Sequence, residues 1–393
     1  MEKPRSYEDF IFMPNLMFKT LGYDLFHTPR SRWRYLLVRG YFVLCTISNF
    51  YEASMVTTRI IEWESLTGSP SKIMRQGLHF FYMLSGQLKF VTFMINRKRL
   101  LQLSNHLKEL YPHKEQNQKK YEVNRYYLSR STRYVLYVYY IVMVVMALEP
   151  LVQSCIMYLI GFFFTYKRIF PTRLTFDSRK PLGYVLAYVI DFTYSQFIVN
   201  VTLGTDLWMM CVSSQISMHL GYLANMLISF RPSPETEQQD CYFLASIVKR
   251  HQLLIRLQKD VNYVFGLLLA CNLFTTSCLL CCMAYYGVVE GFNWEGISYM
   301  TLFVSVAAQF YVVSSHGQML IDWSTNLAKA AYESKWYEGS LRYKKDILIL
   351  MAQAQRPLEI SARGIIIISL DTFKILMTIT YRFFAVIRQT VEK

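Results

Sequence analysis

Near the carboxyl end, in the stretch GIIIISLDTFKILMTITYRFFAVIRQ (residues 364 to 389), Asp371, Lys374 and Arg382 interrupt a run that is otherwise apolar enough to cross a bilayer. Charges at such depth are tolerated where they face water, one another or a second subunit, so they mark a conduit or an interface. Asp371 and Lys374 stand three residues apart, a spacing that lets them pair on one helix face. Enzyme chemistry lacks its usual residues. His27, His79, His106, His113, His219, His251 and His316 form no HExxH, and no GxSxG, phosphate-binding loop or dinucleotide fingerprint occurs. No catalytic residue, cofactor or enzymatic activity is assigned. Cys271, Cys278, Cys281 and Cys282 crowd one apolar run, but a metal there would need charged thiolates inside hydrocarbon, so the cluster reads as packing and no metal site is expected.

A binding role fits the residue types better. The stretches HFFYM, YVYYIVMVVM and DFTYSQF are dense in aromatic residues and methionine, which can wall an apolar cavity and recognise a small lipophilic molecule by shape and dispersion. Phe80, Phe81, Met143, Met146, Ala147, Pro150, Tyr194 and Phe197 are the expected wall. Glu149 could bind a cationic ligand, but the structural reading is favoured, in which it sits in the wet outer mouth or pairs with an arginine of the second outer loop.

The elements that must position these residues follow from composition. The chain has 393 residues, of which 53% are hydrophobic, 16% aromatic and only 18% charged, a balance that places it among membrane proteins. Windows of about 19 residues select spans at 35 to 56, 73 to 95, 134 to 152, 183 to 212, 263 to 288, 297 to 320 and 364 to 387. The fold class is therefore all-α and polytopic, with seven transmembrane helices. The second span is interrupted by Arg75, His79 and Lys89, and the third is expected to run on through CIMYLIGFFF (155 to 164) until Pro171 stops it. Trp33 and Trp63 bracket the first span as interfacial anchors.

The net charge of +15 could suit nucleic acid, but the basic residues are split among loops and no nucleic-acid motif accompanies them. With the amino terminus inside, the inner segments hold 27 Lys and Arg and the outer segments 9, which puts the amino terminus in the cytoplasm and the carboxyl terminus outside. The opening residues MEKPRSYEDFIFMPNLMFKTLGYD lack the apolar core of a secretory signal. The sequon Asn200-Val-Thr202 lies within an apolar run, away from glycosylation. SQISMHLGYLANMLISF and DCYFLASIVKRHQLLIRLQKDVNYVFG show helical periodicity around the turn RPSPETEQQ and predict helices reaching into the cytoplasm. Residues after the sixth span are likewise amphipathic, with Gly339 and Pro357 as breaks. This topology is opposite to that of a G-protein-linked receptor. No D/E-R-Y triplet closes span three and no N-P-x-x-Y stands in span seven.

The carboxyl third carries a more specific pattern. QFYVVSSHGQMLIDWSTNLAKAAYESKWYE, RYKKDILILMAQAQRPLEISARG and SLDTFKILMTITYRFFAVIRQ resemble, in order and spacing, the three-part signature of insect odorant receptors; LGYDLF near the amino end is similar too. Ser314 stands where that family often has cysteine, and Arg382 follows Tyr381 where serine is usual. The resemblance implies the ligand-binding subunit of a heteromeric, odorant-gated, nonselective cation channel. It implies a hetero-tetramer with a shared olfactory co-receptor, a small volatile odorant as ligand, contact with membrane lipid, and multi-pass residence in the plasma membrane of olfactory neuron cilia. Residues 1 to 34 would be a cytoplasmic segment, and 35 to 320 six spans with the pocket and cytoplasmic helices (213 to 262). Residues 321 to 363 would be anchor helices, and 364 to 393 the pore-lining seventh span with a short outer tail. Tyr381, Arg382, Val386, Ile387 and Gln389 would lie at the pore, with Val386 and Ile387 as gate and Arg382 either turned from the axis or present in few subunits. A gustatory receptor channel of the same superfamily, or a G-protein-linked receptor, stands as the alternative.

Overall fold

Long stretches of apolar sequence broken by capping residues fold here into a helical bundle, seen in a computed structural model that describes residues 5–23, 32–61, 70–127, 130–162, 164, 166–170, 174–291, 293–362, 364 and 366–391. The chain runs through α1 (Tyr7–Lys19), α2 (Arg32–Ile61), α3 (Pro70–Leu110), α4 (Glu115–Lys120), α5 (Val123–Tyr126), α6 (Arg130–Leu159) and α7 (Pro181–Ser229). It continues through α8 (Glu237–Glu290), α9 (Trp294–Glu333), α10 (Leu341–Ala354), a hairpin of β1 (Ser361–Ala362) and β2 (Ile366–Ile367), and α11 (Leu370–Val391). The first six expected spans fall in the long helices α2, α3, α6, α7, α8 and α9, and the seventh overlaps α11. Among the described residues, stretches of α6, α7, α8 and α9 are long and apolar enough to cross a membrane by length and composition alone. Trp63 and residues 24 to 26 of LGYDLF lie outside the described residues.

Two helix boundaries differ from the sequence reading. α6 stops at Leu159, before the expected continuation to 164, because Gly161 takes a φ of +94°, a conformation that ends a helix and that side chains other than glycine rarely adopt. The seventh span begins at Leu370 and not at 364, because two short strands before it pair antiparallel, Ser361 opposite Ile367 and Ala362 opposite Ile366. An isoleucine run suits a strand as well as a helix. Asn262 of α8 fixes the hairpin: its amide donates to the Glu359 carbonyl at 3.0 Å and its side-chain oxygen accepts from the Ser361 N–H at 3.1 Å.

α7 is the axis of the bundle. Every residue from Phe197 to Gly221 is buried, so a helix with almost no amphipathic bias is surrounded by protein on all sides. α1, for which no helix was expected, lies along it. Its start was legible in Ser6 and Asp9, which exchange hydrogen bonds as a capping box. Phe18 of α1 stacks on Phe93 with ring centroids 4.4 Å apart, and the Tyr7 hydroxyl donates to the Ser104 carbonyl at 2.8 Å. At the surface, Lys108 pairs with Glu8 at 2.8 Å and holds that carboxyl below its ordinary range. On α2 and α6 the outward residues are apolar: Leu37, Leu44 and Ile47, then Ile141, Val145 and Val152, are all exposed, as lipid-facing surfaces are.

α8 and α9 continue without a break from apolar span into their amphipathic extensions, and the turn between α7 and α8 is the expected Pro-containing one. α9 ends at Glu333, and α10 begins after the Ser340 cap, beyond Gly339.

Candidate functional site

α6 does not break at Pro150. The Ser154 hydroxyl donates to the Pro150 carbonyl at 2.7 Å, and the Tyr188 hydroxyl of α7 donates to the Ala147 carbonyl at 2.6 Å, so carbonyls around the proline find partners. Beside this segment lies a cavity of about 530 Å³ between α3, α6, α9 and the loop 166–170, with α7 and α8 contributing Ser195 and Met283. Such a volume lies in the range of small-molecule sites.

The cavity is polar at one end and apolar at the other. Leu78, Met143, Ala147, Met283 and Leu302, all buried, make the apolar wall together with Met146 and Tyr82. Arg75, Glu149, Gln153, Lys167, Arg168 and Glu295 stand among the lining residues of the polar part. Glu149 accepts from the Trp294 indole at 2.5 Å and from Gln153 at 3.0 Å, and Gln153 in turn accepts from Lys167 at 3.0 Å. The Tyr286 hydroxyl donates to Glu295 at 3.2 Å.

Arg168, in the loop that follows α6, turns away from Glu149. Its guanidinium forks onto Asp191 of α7 at 2.5 and 3.2 Å and reaches Glu52 of α2 at 3.4 Å. The side chains of Asp191 and Glu52 are fully buried and that of Arg168 is 8% exposed. The Phe170 N–H also donates to Asp191, at 3.4 Å, and the Tyr184 hydroxyl donates to the Lys167 carbonyl at 2.8 Å. Residues 166 to 170 therefore form a strap pinned across the cavity, with Phe170 edge-on to Tyr194 at 5.1 Å.

Of the residues expected at the wall, Met143, Met146, Ala147 and Pro150 come together on the cavity side of α6. Phe80, Phe81, Tyr194 and Phe197 do not line it. Phe80 packs beside Tyr194 in a separate apolar cluster, Phe81 faces Phe274 of α8 at 6.4 Å, and Phe197 meets Phe90 at 5.0 Å. The rotation of α3 presents His79 and Tyr82 in place of their aromatic neighbours, and α7 presents Ser195. Sequence reasoning missed the strap and the start of α9 with Glu295 and Tyr299; the basic pair Lys167 and Arg168 between the aromatic residues Tyr166 and Phe170 was the available signal.

At the far end of the chain, Ile375, Ile379, Arg382 and Val386 recur at i, i+4, i+7 and i+11 on one face of α11. All four are exposed, as are Tyr381 and Gln389. Ile387 belongs to the helix, but its side chain lies outside the described residues. The expected pairing of Asp371 with Lys374 is corrected: both are exposed and no ion pair joins them among the described residues. Asp371 instead occupies the first helical turn, where the helix dipole favours an anion. The cysteine run 271 to 282 holds no metal-ligand cluster among the described residues.

The family model described as "7tm Odorant receptor" matches residues 70–381. The chain is 91% identical to Odorant receptor 49a of Drosophila melanogaster, with all of both chains covered, and 31% identical to Odorant receptor 85f of the same fly, with 98% of each covered. Its fold is similar to that of the insect olfactory receptor OR5 from Machilis hrabei, solved alone and in complex with eugenol, with a TM-score of 0.80, 17% identity and 98% of each chain covered.

Proposed function

Because this chain belongs to the 7tm odorant receptor family, an insect family of multi-pass membrane receptors, we propose that it is the ligand-binding subunit of an odorant-gated, nonselective cation channel. The shared olfactory co-receptor completes the hetero-tetramer, in the plasma membrane of olfactory neuron dendrites. The cavity between α3, α6 and α9 carries this reading: apolar at one end, polar at the other, and of a size for a small volatile molecule. Met143, Met146, Ala147 and Pro150 supply the α6 wall. An odorant that binds the open state more tightly than the closed one shifts the gating equilibrium, and equal affinity for both would open nothing.

The uncovered face of α11 is the proposed pore surface, with Val386 and Ile387 as the gate and Tyr381, Arg382 and Gln389 around it. Arg382 shares its helical face with Val386, so a helix that turns Val386 toward the axis brings Arg382 with it. A full ring of such arginines would repel cations, which favours few copies of this chain per channel.

The test is whole-cell current during a panel of volatile odorants, in cells expressing this chain with the co-receptor, the chain alone, or the co-receptor alone. An odorant-evoked cation current that needs both chains is the expected result. Current from this chain alone would point to a gustatory-type channel, and an amino-terminal epitope accessible on intact cells would point to a G-protein-linked topology. In the same cells Ala147→Trp, which fills the cavity, should raise the half-maximal concentration of any active odorant by about tenfold or more at equal surface delivery.

A further inference from the structure

Lys89, which interrupts the second span and has no part in the cavity, is buried in the bundle with 1% of its side chain exposed. Its ammonium donates to both carboxylate oxygens of Asp206 on α7, at 3.0 and 2.9 Å, and the Asp206 side chain is fully buried. The Gln309 amide of α9 donates to the same carboxylate. Three helices thus meet at one intramembrane charge. Ionisable groups at such depth are costly and mark function.

The position of this cluster follows from the cavity above it. α3, α7 and α9 all run inward from the outer face. Lys89 and Gln309 each lie two helical turns, about 10 Å, beyond the cavity residues Tyr82 and Leu302, and Asp206 lies three turns beyond Ser195. The residues next to Gln309 reach the seventh span: Phe310 and Tyr311 pack against Phe373 of α11, with ring centroids 6.5 and 5.4 Å apart. A displacement of α9 by an occupant touching Ser298, Tyr299 or Leu302 that travels along the helix passes Gln309 on its way to the contacts with Phe373.

We infer that Gln309 is the positioning residue that couples cavity to channel: its amide, bound to the Asp206 carboxylate, holds α9 against the α3–α7 pair in the resting state, and ligand binding releases it. The ion pair is the fixed part of this device, since separating two charges inside the bundle is far costlier than losing one amide donor. The amide is the part that moves, because the carboxylate remains paired with Lys89 after Gln309 leaves. This inference rests on the channel reading above.

The test uses Gln309→Met, which keeps the volume and removes the donor, in full-length chain expressed and purified with the co-receptor in lipid nanodiscs. Hydrogen exchange should be faster than in the wild type at residues 306–313 and 370–377 and unchanged at 143–153. Odorant-independent current in cells should rise roughly tenfold at equal surface delivery, the factor that one hydrogen bond to a charged group carries. Gln309→Asn, whose amide is one methylene short, should shift both readouts in the same direction and substitutes for Met if that variant fails to fold. Unchanged exchange in the variants overturns the inference, and so does faster exchange with no rise in a current that the wild-type chain demonstrably carries. Faster exchange where the wild-type chain adds no current to that of the co-receptor would retain the coupling and refute the channel reading instead.

Discussion

Replacing Arg168 with methionine is expected to abolish the odorant response and to be the most destabilising single change at the cavity. One guanidinium serves two buried carboxylates, Asp191 and Glu52, that belong to different helices. Removing it takes this guanidinium from both buried acids, and breaking one buried pair costs about 3–5 kcal/mol. The strap 166–170 also loses the fork that ties it to α7, so the cavity loses a wall as well as stability. Arg168→Lys should recover little, because a single ammonium cannot fork onto Asp191 and reach Glu52 together. The triple variant Arg168→Met, Asp191→Asn, Glu52→Gln should recover much of the melting temperature but not the response, since it removes the stranded charges without restoring the strap. Thermal melts by fluorescence-detected size exclusion, run beside whole-cell current, separate the two effects. A melting temperature for Arg168→Met equal to that of the wild type would show that the buried trio contributes nothing.

Gly317→Val should prevent the folded receptor from reaching the surface. A Cβ at this position in α9 would collide with the backbone carbonyl of Ile368 and would lie 3.2 Å from the Ile368 Cγ2. The obstacle is main chain, not the end of a flexible side chain, so relief requires the hairpin to move. That hairpin is held by Asn262 and Gln258 of α8 and leads directly into α11. Overpacking of this kind costs on the order of 1–3 kcal/mol where side chains can yield and more where backbone must shift. Gly317→Ala meets the same carbonyl and should show a milder form of the same defect, measurable as lower surface labelling and a lower melting temperature. Wild-type surface levels for both variants would mean that α9 and the hairpin can separate without consequence.

Much of the architecture was legible because hydrophobic periodicity and length are local properties. Seven apolar runs, the Pro-containing turn after Ser229, and the breaks at Gly339 and Pro357 needed no knowledge of neighbours. The capping box at Ser6 and Asp9 is equally local, but α1 is short, carries Pro14 inside it and is held by packing on α7, which local pattern does not show. The hairpin before α11 was hidden for a different reason. An isoleucine run satisfies strand and helix alike, and the partner that decides between them, Asn262, is about a hundred residues away.

The sequence by itself determined the membrane class, the seven helices and the α6 wall of the cavity, where small and flexible residues cluster around Pro150. Only the tertiary structure decided which aromatic residues of α3 and α7 face the cavity. α7 has almost no amphipathic bias, and on α3 polar His79 lines the cavity while Phe80 and Phe81 do not, the reverse of what an apolar cavity suggests, so rotation is set by packing against other helices. It also decided the partners of the buried charges. Lys89 with Asp206, and Arg168 with Asp191 and Glu52, are separated by between 23 and 117 residues, and which charge finds which is fixed by the way α2, α3 and α7 cross.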